Sequence, residues 1–200
     1  VLAAGNFNLL MAEDSSSLDA AVAHFLSHAL VRGARVAVLS SESPQERLAR
    51  FKDFGFDLMA ALDDDQLAYI HYRPTLSRAL GGADYSLLFD EVRRLAGPVE
   101  RIAFLDPEML FALESDGDAA ASIGRFAAGA HRLGATALGA FVPDGKPRHQ
   151  RLHQRGSELL PAVYSLRARG AANYVLESKG VPLNLRLARG QGYVAEGARH

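Results

Sequence analysis

The sequence predicts an α/β fold in three layers: a mainly parallel central sheet with helices on both faces, continued at the C-terminal end by an antiparallel β meander. Three observations predict it. Short apolar runs alternate with amphipathic stretches from residue 6 to residue 142, and repeated strand–helix units imply parallel pairing with helices packed on the sheet. Beyond Leu159 the pattern changes to strand-like segments separated by turn residues. The chain has 200 residues, enough for one sizeable core, so a single domain over 1–200 is expected.

The first strand is expected over residues 6–12, where Phe7, Leu9, Leu10 and Met11 form an apolar run. Helix one follows over about 17–32. Leu18, Ala21, Val22, Phe25, Leu26, Ala29 and Leu30 recur at the spacing of one helical face, Ser15 to Ser17 offer N-caps, and Gly33 stops it. Strand two, 35–39, is short and apolar, as a buried parallel strand should be. Helix two begins at Ser43-Pro44, with Pro at the first helical position, and runs to about Phe54.

Strand three is expected over 67–72, helix three over 85–95 before Gly97-Pro98, and strand four over 101–105. Helix four follows over 118–133, closed by Gly134, and strand five over 136–142. Residues 143–158 are polar and basic, with Pro143, Gly145 and Pro147, and read as a loop. Three strands are expected over 162–167, 173–177 and 183–187, with turns at Gly170 and at Gly180-Val181-Pro182. Phe51, Phe54, Leu58, Phe89, Phe104 and Phe126 are expected in the core.

Bulk properties narrow the function. A net charge of −1 gives no electrostatic argument for nucleic acid, and the absence of cysteine excludes disulfides and thiolate metal sites. No apolar run approaches the roughly 18 residues of a membrane span. Val1-Leu2-Ala3-Ala4 has no initiator Met and no basic n-region, so it does not read as a signal peptide. The expectation is a segment of a longer protein.

The run 6–12, a short polar loop and the helix after it make the strand–loop–helix setting of a nucleotide-binding P-loop. A working P-loop needs glycines whose N–H groups wrap a phosphate, a Lys for the β/γ-phosphates and a Ser or Thr for Mg²⁺. Here the loop reads Glu13-Asp14-Ser15-Ser16-Ser17, with neither Gly nor Lys. Two carboxylates within about 5 Å of a γ-phosphate would cost a few kcal/mol even at an effective dielectric near 20.

The succession of elements resembles the RecA-like P-loop NTPase core, and most of all its KaiC branch. The motifs that carry the resemblance lie within 35–72. Ser41-Glu42-Ser43-Pro44 fills the position of a Glu-Glu-Thr/Ser-Pro motif, and Phe54-Gly55-Phe56-Asp57-Leu58 resembles the FGWDL phrase. Ile102-Ala103-Phe104-Leu105-Asp106 resembles a Walker B strand ending in its Asp. The departures are large: the P-loop is lost, Ser41 replaces the first glutamate, and Pro107 stands where active members carry a small hydroxyl residue. The resemblance therefore implies a degenerate NTPase with no catalytic residue and no cofactor, in which Glu42 and Asp106 are vestigial.

The layout is also similar to the amino-terminal domains of the BcsE family, regulators of bacterial cellulose secretion, which share the lost P-loop, the acidic loop and an Ala-rich first helix. That resemblance implies a cytoplasmic regulatory module acting through protein–protein contacts. Its expected partners are a MinD-type ATPase and components of the secretion machinery, which would recruit it to the inner membrane without insertion, and a second copy of itself. Cyclic di-GMP would bind a later domain beyond this chain.

Single residues admit two readings each. Glu42 is placed to polarise a water, or simply begins helix two near Pro44, where the helix dipole favours it. Asp106 is placed to hold Mg²⁺ through water, or caps a helix begun by Pro107. Glu13 and Asp14 cap helix one or attract a cation. His24 and His28 share a helical face at metal-ligand spacing but lack an evident third ligand, so the reading is an ordinary pair and no metal. Asp63-Asp64-Asp65 lacks EF-hand spacing and reads as a solvated loop. Lys146, Arg148, Arg151 and Arg155 form the one basic cluster and are the candidate partner-binding loop, the alternative being a solvated loop.

Two other function classes stay open at this point. One is an ATP-binding sensor or ATPase with an unorthodox phosphate site built from Glu42, Asp106 and the basic segment. The other is a RecA-paralogue-like cell-division or DNA-associated protein, against which the near-neutral charge counts.

Overall fold

A computed structural model of the chain describes residues 2–72, 85–170, 172–188 and 192–195. Nine strands form one sheet in the order β3-β2-β4-β5-β1-β6-β7-β8-β9. The strands are β1 (Phe7–Ala12), β2 (Val36–Ser40), β3 (Leu67–His71), β4 (Arg101–Leu105), β5 (Thr136–Phe141), β6 (Val163–Ala168), β7 (Asn173–Ser178), β8 (Val181–Ala188) and β9 (Gly192–Ala195). Pairings among β1 to β6 are all parallel, and β7, β8 and β9 are added antiparallel. The α/β class, the mainly parallel sheet and the C-terminal meander are thus as the sequence predicts. β6 belongs to both parts, parallel to β1 and antiparallel to β7.

β1 is buried over its whole length because β5 and β6 flank it and side chains of both its faces meet helices. Phe7, Leu9 and Met11 point into one core, with Phe104, Phe126 and Leu152; Leu10 and Ala12 point into the other, with Val22, Leu26, Leu48 and Phe51. The first core is built on helices α4 (Ser86–Ala96), α5 (Asp116–Arg132) and α6 (Pro147–Leu159). The second is built on α1 (Ser15–Leu30), α2 (Pro44–Asp53) and α3 (Leu58–Asp63). Phe126 centres the first core, with T-shaped ring contacts to Phe7, Phe104, Phe111 and Tyr85 at 4.9–5.2 Å.

Four local expectations are corrected. Residues 147–159 form helix α6 instead of a loop: Pro147 occupies its first turn, and His149, Leu152 and Gly156 face inward. Val181 and Pro182 lie inside β8, so the turn is at Lys179-Gly180, both at positive φ. The FGFDL phrase is the turn from α2 into α3, a short helix that the sequence reading omitted along with β9. Phe54 is half-buried rather than in the core.

Candidate functional site

The carboxyl ends of parallel strands are where ligands bind in open α/β sheets, and most of the sequence's candidate residues converge there. β1 ends at Ala12 and α1 begins at Ser15, so only Glu13 and Asp14 connect strand to helix. Ser15 to Ser17 are the first turn of α1, not loop residues or caps. Asp14 is the N-cap: its carboxylate accepts from Ser17 N at 2.8 Å and from Ser17 Oγ at 2.7 Å. The Glu13 carboxylate accepts from Ala168 N at 3.1 Å, tying the connection to β6. Two residues, already committed to a cap and a strand end, leave no backbone to wrap a phosphate.

Beside this connection lies a cleft of about 410 Å³, lined among others by Glu13, His149, His153 and Arg167. His149 is buried and accepts from Asp144 N at 3.0 Å through Nδ1. Burial holds its pKa below the ordinary imidazole value, against the pull of Asp144.

Glu42 and Asp106 do meet, but through an arginine. Arg47 of α2 is buried, and its Nη2 lies 3.2 Å from Glu42 Oε1 and 3.8 Å from Asp106 Oδ2. Its Nη1 donates to Asp19 Oδ1 at 2.7 Å. Arg50, one turn on, donates from Nε to Asp19 Oδ2 at 2.7 Å and from Nη2 to Glu42 Oε2 at 2.5 Å. Two guanidinium groups thus face three carboxylates from α1, α2's entry and β4's exit. The cation that bridges Glu42 and Asp106 is the chain's own.

Local structure fixes each member. Ser43 caps α2, accepting from Glu46 N at 3.3 Å while its hydroxyl donates to Glu46 Oε2 at 2.8 Å. That entry holds Glu42 just outside the helix, and Tyr69 Oη donates to the Glu42 carbonyl at 3.0 Å. Asp106 does not cap a helix. It adopts a left-handed conformation (φ 56°, ψ 48°) and makes no capping hydrogen bond to the 3₁₀ turn Pro107–Met109. Its carboxylate accepts instead from Ser41 Oγ at 3.2 Å. Burial raises the Asp106 pKa, and Arg47 with the Ser41 hydroxyl pulls it back.

Asp19, Arg47 and Arg50 escaped the sequence reading, although two carried a signal. Asp19 shares the α1 stripe with Val22 and Leu26, and Arg47 shares the α2 stripe with Phe51. A charge on an apolar helix face needs a buried partner, and opposite charges on the apolar faces of consecutive helices are candidates for each other.

The four cations of the basic segment lie on α6 and its N-cap, packed against the other core. Each has an internal acceptor: Lys146 pairs with Asp144, Arg148 donates to the Glu108 carbonyl, and Arg151 and Arg155 both bind Asp116 at 3.0 and 2.8 Å. His24 Nδ1 accepts from Tyr193 N, and His28 Nδ1 contacts Arg32 and Arg101. Among the described residues no group of three His, Cys, Asp or Glu side chains is arranged to hold a metal ion. Asp65, at positive φ, receives Arg35. No helix among them is long and apolar enough to cross a membrane.

Compared with known proteins, the chain matches no family model and no curated sequence.

Proposed function

We propose that the chain is a catalytically inactive, three-layer RecA/KaiC-like domain that works as a regulatory protein–protein interaction module. The observation that carries this reading is Arg47. It sits between Glu42 and Asp106, where an active site would need one carboxylate to polarise a water and the other to hold Mg²⁺, and it is itself held by Asp19. A triphosphate would meet a two-residue β1–α1 connection, the carboxylates of Glu13 and Asp14, and a cation that already faces three carboxylates. The binding energy of such a site is spent on the fold.

The reading extends to a cytoplasmic setting in the control of cellulose secretion, with a MinD-type ATPase and secretion components as partners and with self-association. That setting rests on the BcsE-like layout. Lys146, Arg148, Arg151 and Arg155, on α6 and its N-cap, are the surface assigned to an acidic partner.

Calorimetric titration of the chain with Mg-ATP and Mg-ADP tests the first part. The expected result is no saturable heat up to about 1 mM nucleotide, an affinity weaker than about −4 kcal/mol. Binding in the low micromolar range would replace this reading with that of an ATP sensor. Light scattering tests self-association, and charge reversal at Lys146, whose side chain is the exposed cation at the N-cap of α6, should weaken any partner complex without unfolding the chain.

A further inference from the structure

At the amino ends of β4 and β5, away from the arginine-filled site, α1 and the meander border an open cavity of about 560 Å³. Ligand pockets run from roughly 300 to 1,000 Å³ and are mostly apolar with a few placed polar groups. The floor is the sheet face that carries Leu10, Leu138, Leu166, Leu176, Leu183 and Leu185, with α1 as one wall. β9 turns back onto α1 along one side: Tyr193 N donates to His24 Nδ1 at 2.8 Å, and Tyr193 Oη donates to the Ser17 carbonyl at 3.1 Å.

The polar groups gather at one end. Arg101 lies over the Phe25 ring at 5.1 Å and donates to the Phe25 carbonyl and, at 2.9 Å, to His28 Nδ1. A guanidinium has five N–H groups; two are donated and the Nε–H faces Glu100, which leaves two for a ligand. Glu100 is shared: its Oε1 pairs with Arg32 and lies 3.6 Å from Arg101 Nε. The lining at this end therefore carries Arg101 and Glu100, with Arg32 outside it and paired to Glu100. Both histidines use Nδ1 as acceptor, His24 from a backbone N–H and His28 from arginines, so each carries its proton on Nε2 and offers a further donor. Burial, then neighbouring cations, pushes the pKa of His24, of His28 and of Arg101 down.

We propose that this cavity binds a long-chain carboxylate, its acyl chain among the leucines and its carboxylate on Arg101 with the His24 and His28 imidazoles beside it. Arg32, outside the lining, takes up the Glu100 carboxylate and so leaves Arg101 for a single carboxylate, while Glu100 disfavours a polyanion. The neighbouring apolar surface, which lies outside the arginine-filled site, supplies the affinity. This binding is independent of the nucleotide question.

The test is calorimetric titration of the chain with octanoate, decanoate and dodecanoate, and with dodecyltrimethylammonium for comparison. The expected result is one site, a Kd for dodecanoate in the tens of micromolar or below, and about fourfold tightening per added methylene. The ammonium compound should bind at least tenfold more weakly. Arg101→Gln should weaken dodecanoate at least tenfold, and Ala21→Phe, which fills the lumen from α1, should weaken every chain length. No saturable dodecanoate binding, equal affinity for the ammonium compound, or a folded Arg101→Gln that binds as before would overturn the proposal. If Arg101→Gln does not fold, the carboxylate-to-ammonium ratio on the unaltered chain decides.

Discussion

Arg47 Nη1 donates to Asp19 Oδ1 at 2.7 Å, and the two side chains keep only 5% and 2% of their surface exposed. The pair joins α1 to α2 beneath the ends of β2 and β4. Breaking a buried pair from one side leaves an uncompensated charge and costs about 3–5 kcal/mol. Arg47→Ala is expected to lose about that much in urea unfolding. Asp19→Ala leaves Glu42 to Arg47 and Arg50, just as Arg47→Ala leaves Arg50 to Asp19, so the two losses should be similar. The double variant Asp19→Leu, Arg47→Met should recover much of the loss, because it removes charge from both sides. Recovery stays incomplete if Glu42 and Asp106, each about one-third exposed, lose a useful partner in Arg47.

The degenerate P-loop has a structural task that can be measured. Asp14 satisfies Ser17 N at the head of α1 and also receives the Ser17 hydroxyl. Asp14→Ala should cost about 1 kcal/mol, lowering Tm by roughly 2–4 °C for a chain of this size. Asp14→Ser should keep most of the stability, since it retains an acceptor for the orphan N–H. A thermal melt of the two variants beside the parent checks the order. Equal loss in both would mean that charge, not capping, is what this position supplies.

Glu108 gives the fold a pH dependence. It lies in the 3₁₀ turn with Oε2 buried and without a hydrogen-bond partner among the described residues, and burial pushes its pKa up to about 7. A folded-state pKa above the unfolded value of 4.5 means that the folded chain binds the extra proton. That stabilisation is complete below about pH 4.5 and is lost as pH rises through about 7, by up to roughly 3 kcal/mol. Glu108→Gln cannot ionise. Its stability relative to the parent should rise across that window and level off above it, read from urea midpoints between pH 5 and 8. His149 sits 3.6 Å from Glu108 Oε1 and titrates in the opposite sense, its pKa lowered chiefly by burial, so the difference between variant and parent is the quantity to follow.

The fold was legible wherever burial wrote a period into the sequence. β2 is apolar at four of its five positions, Val36 to Leu39, because both faces meet helices, and α1 shows its stripe because only one side meets the sheet. α6 hid because its inward positions are His149, Leu152 and Gly156, and one leucine among arginines and histidines makes no apolar stripe. Its anchors are polar: Arg148 to the Glu108 carbonyl, and Arg151 and Arg155 to Asp116. The site was half legible. Glu42 and Asp106 could be placed at strand ends, but the partner that decides their chemistry comes from α2, and pairing across helices leaves no local spacing to read. Tyr193, which borders the apolar cavity from β9, is separated from His24 by 169 positions.

Two glycines of α5 should respond to the same substitution with opposite sign. Gly124 is exposed, and a Cβ there would meet nothing within 4 Å. Alanine is the better helix former, so Gly124→Ala should stabilise by up to about 1 kcal/mol. Gly129 is buried, and its Cβ would fall 2.2 Å from Phe89 Cε2 and 2.4 Å from Cδ2. The Phe89 ring cannot simply swing aside, because Phe126 and Phe104 pack against it at 5.1 and 6.2 Å. Overpacking of this kind costs about 1–3 kcal/mol, more than the helix propensity returns, so Gly129→Ala should destabilise. Phe89→Leu removes the ring atoms nearest the new methyl group. Combined with Gly129→Ala it should therefore cost less than the sum of the two single variants. Additive losses in a double-mutant cycle would mean that α5 and α4 separate instead of repacking.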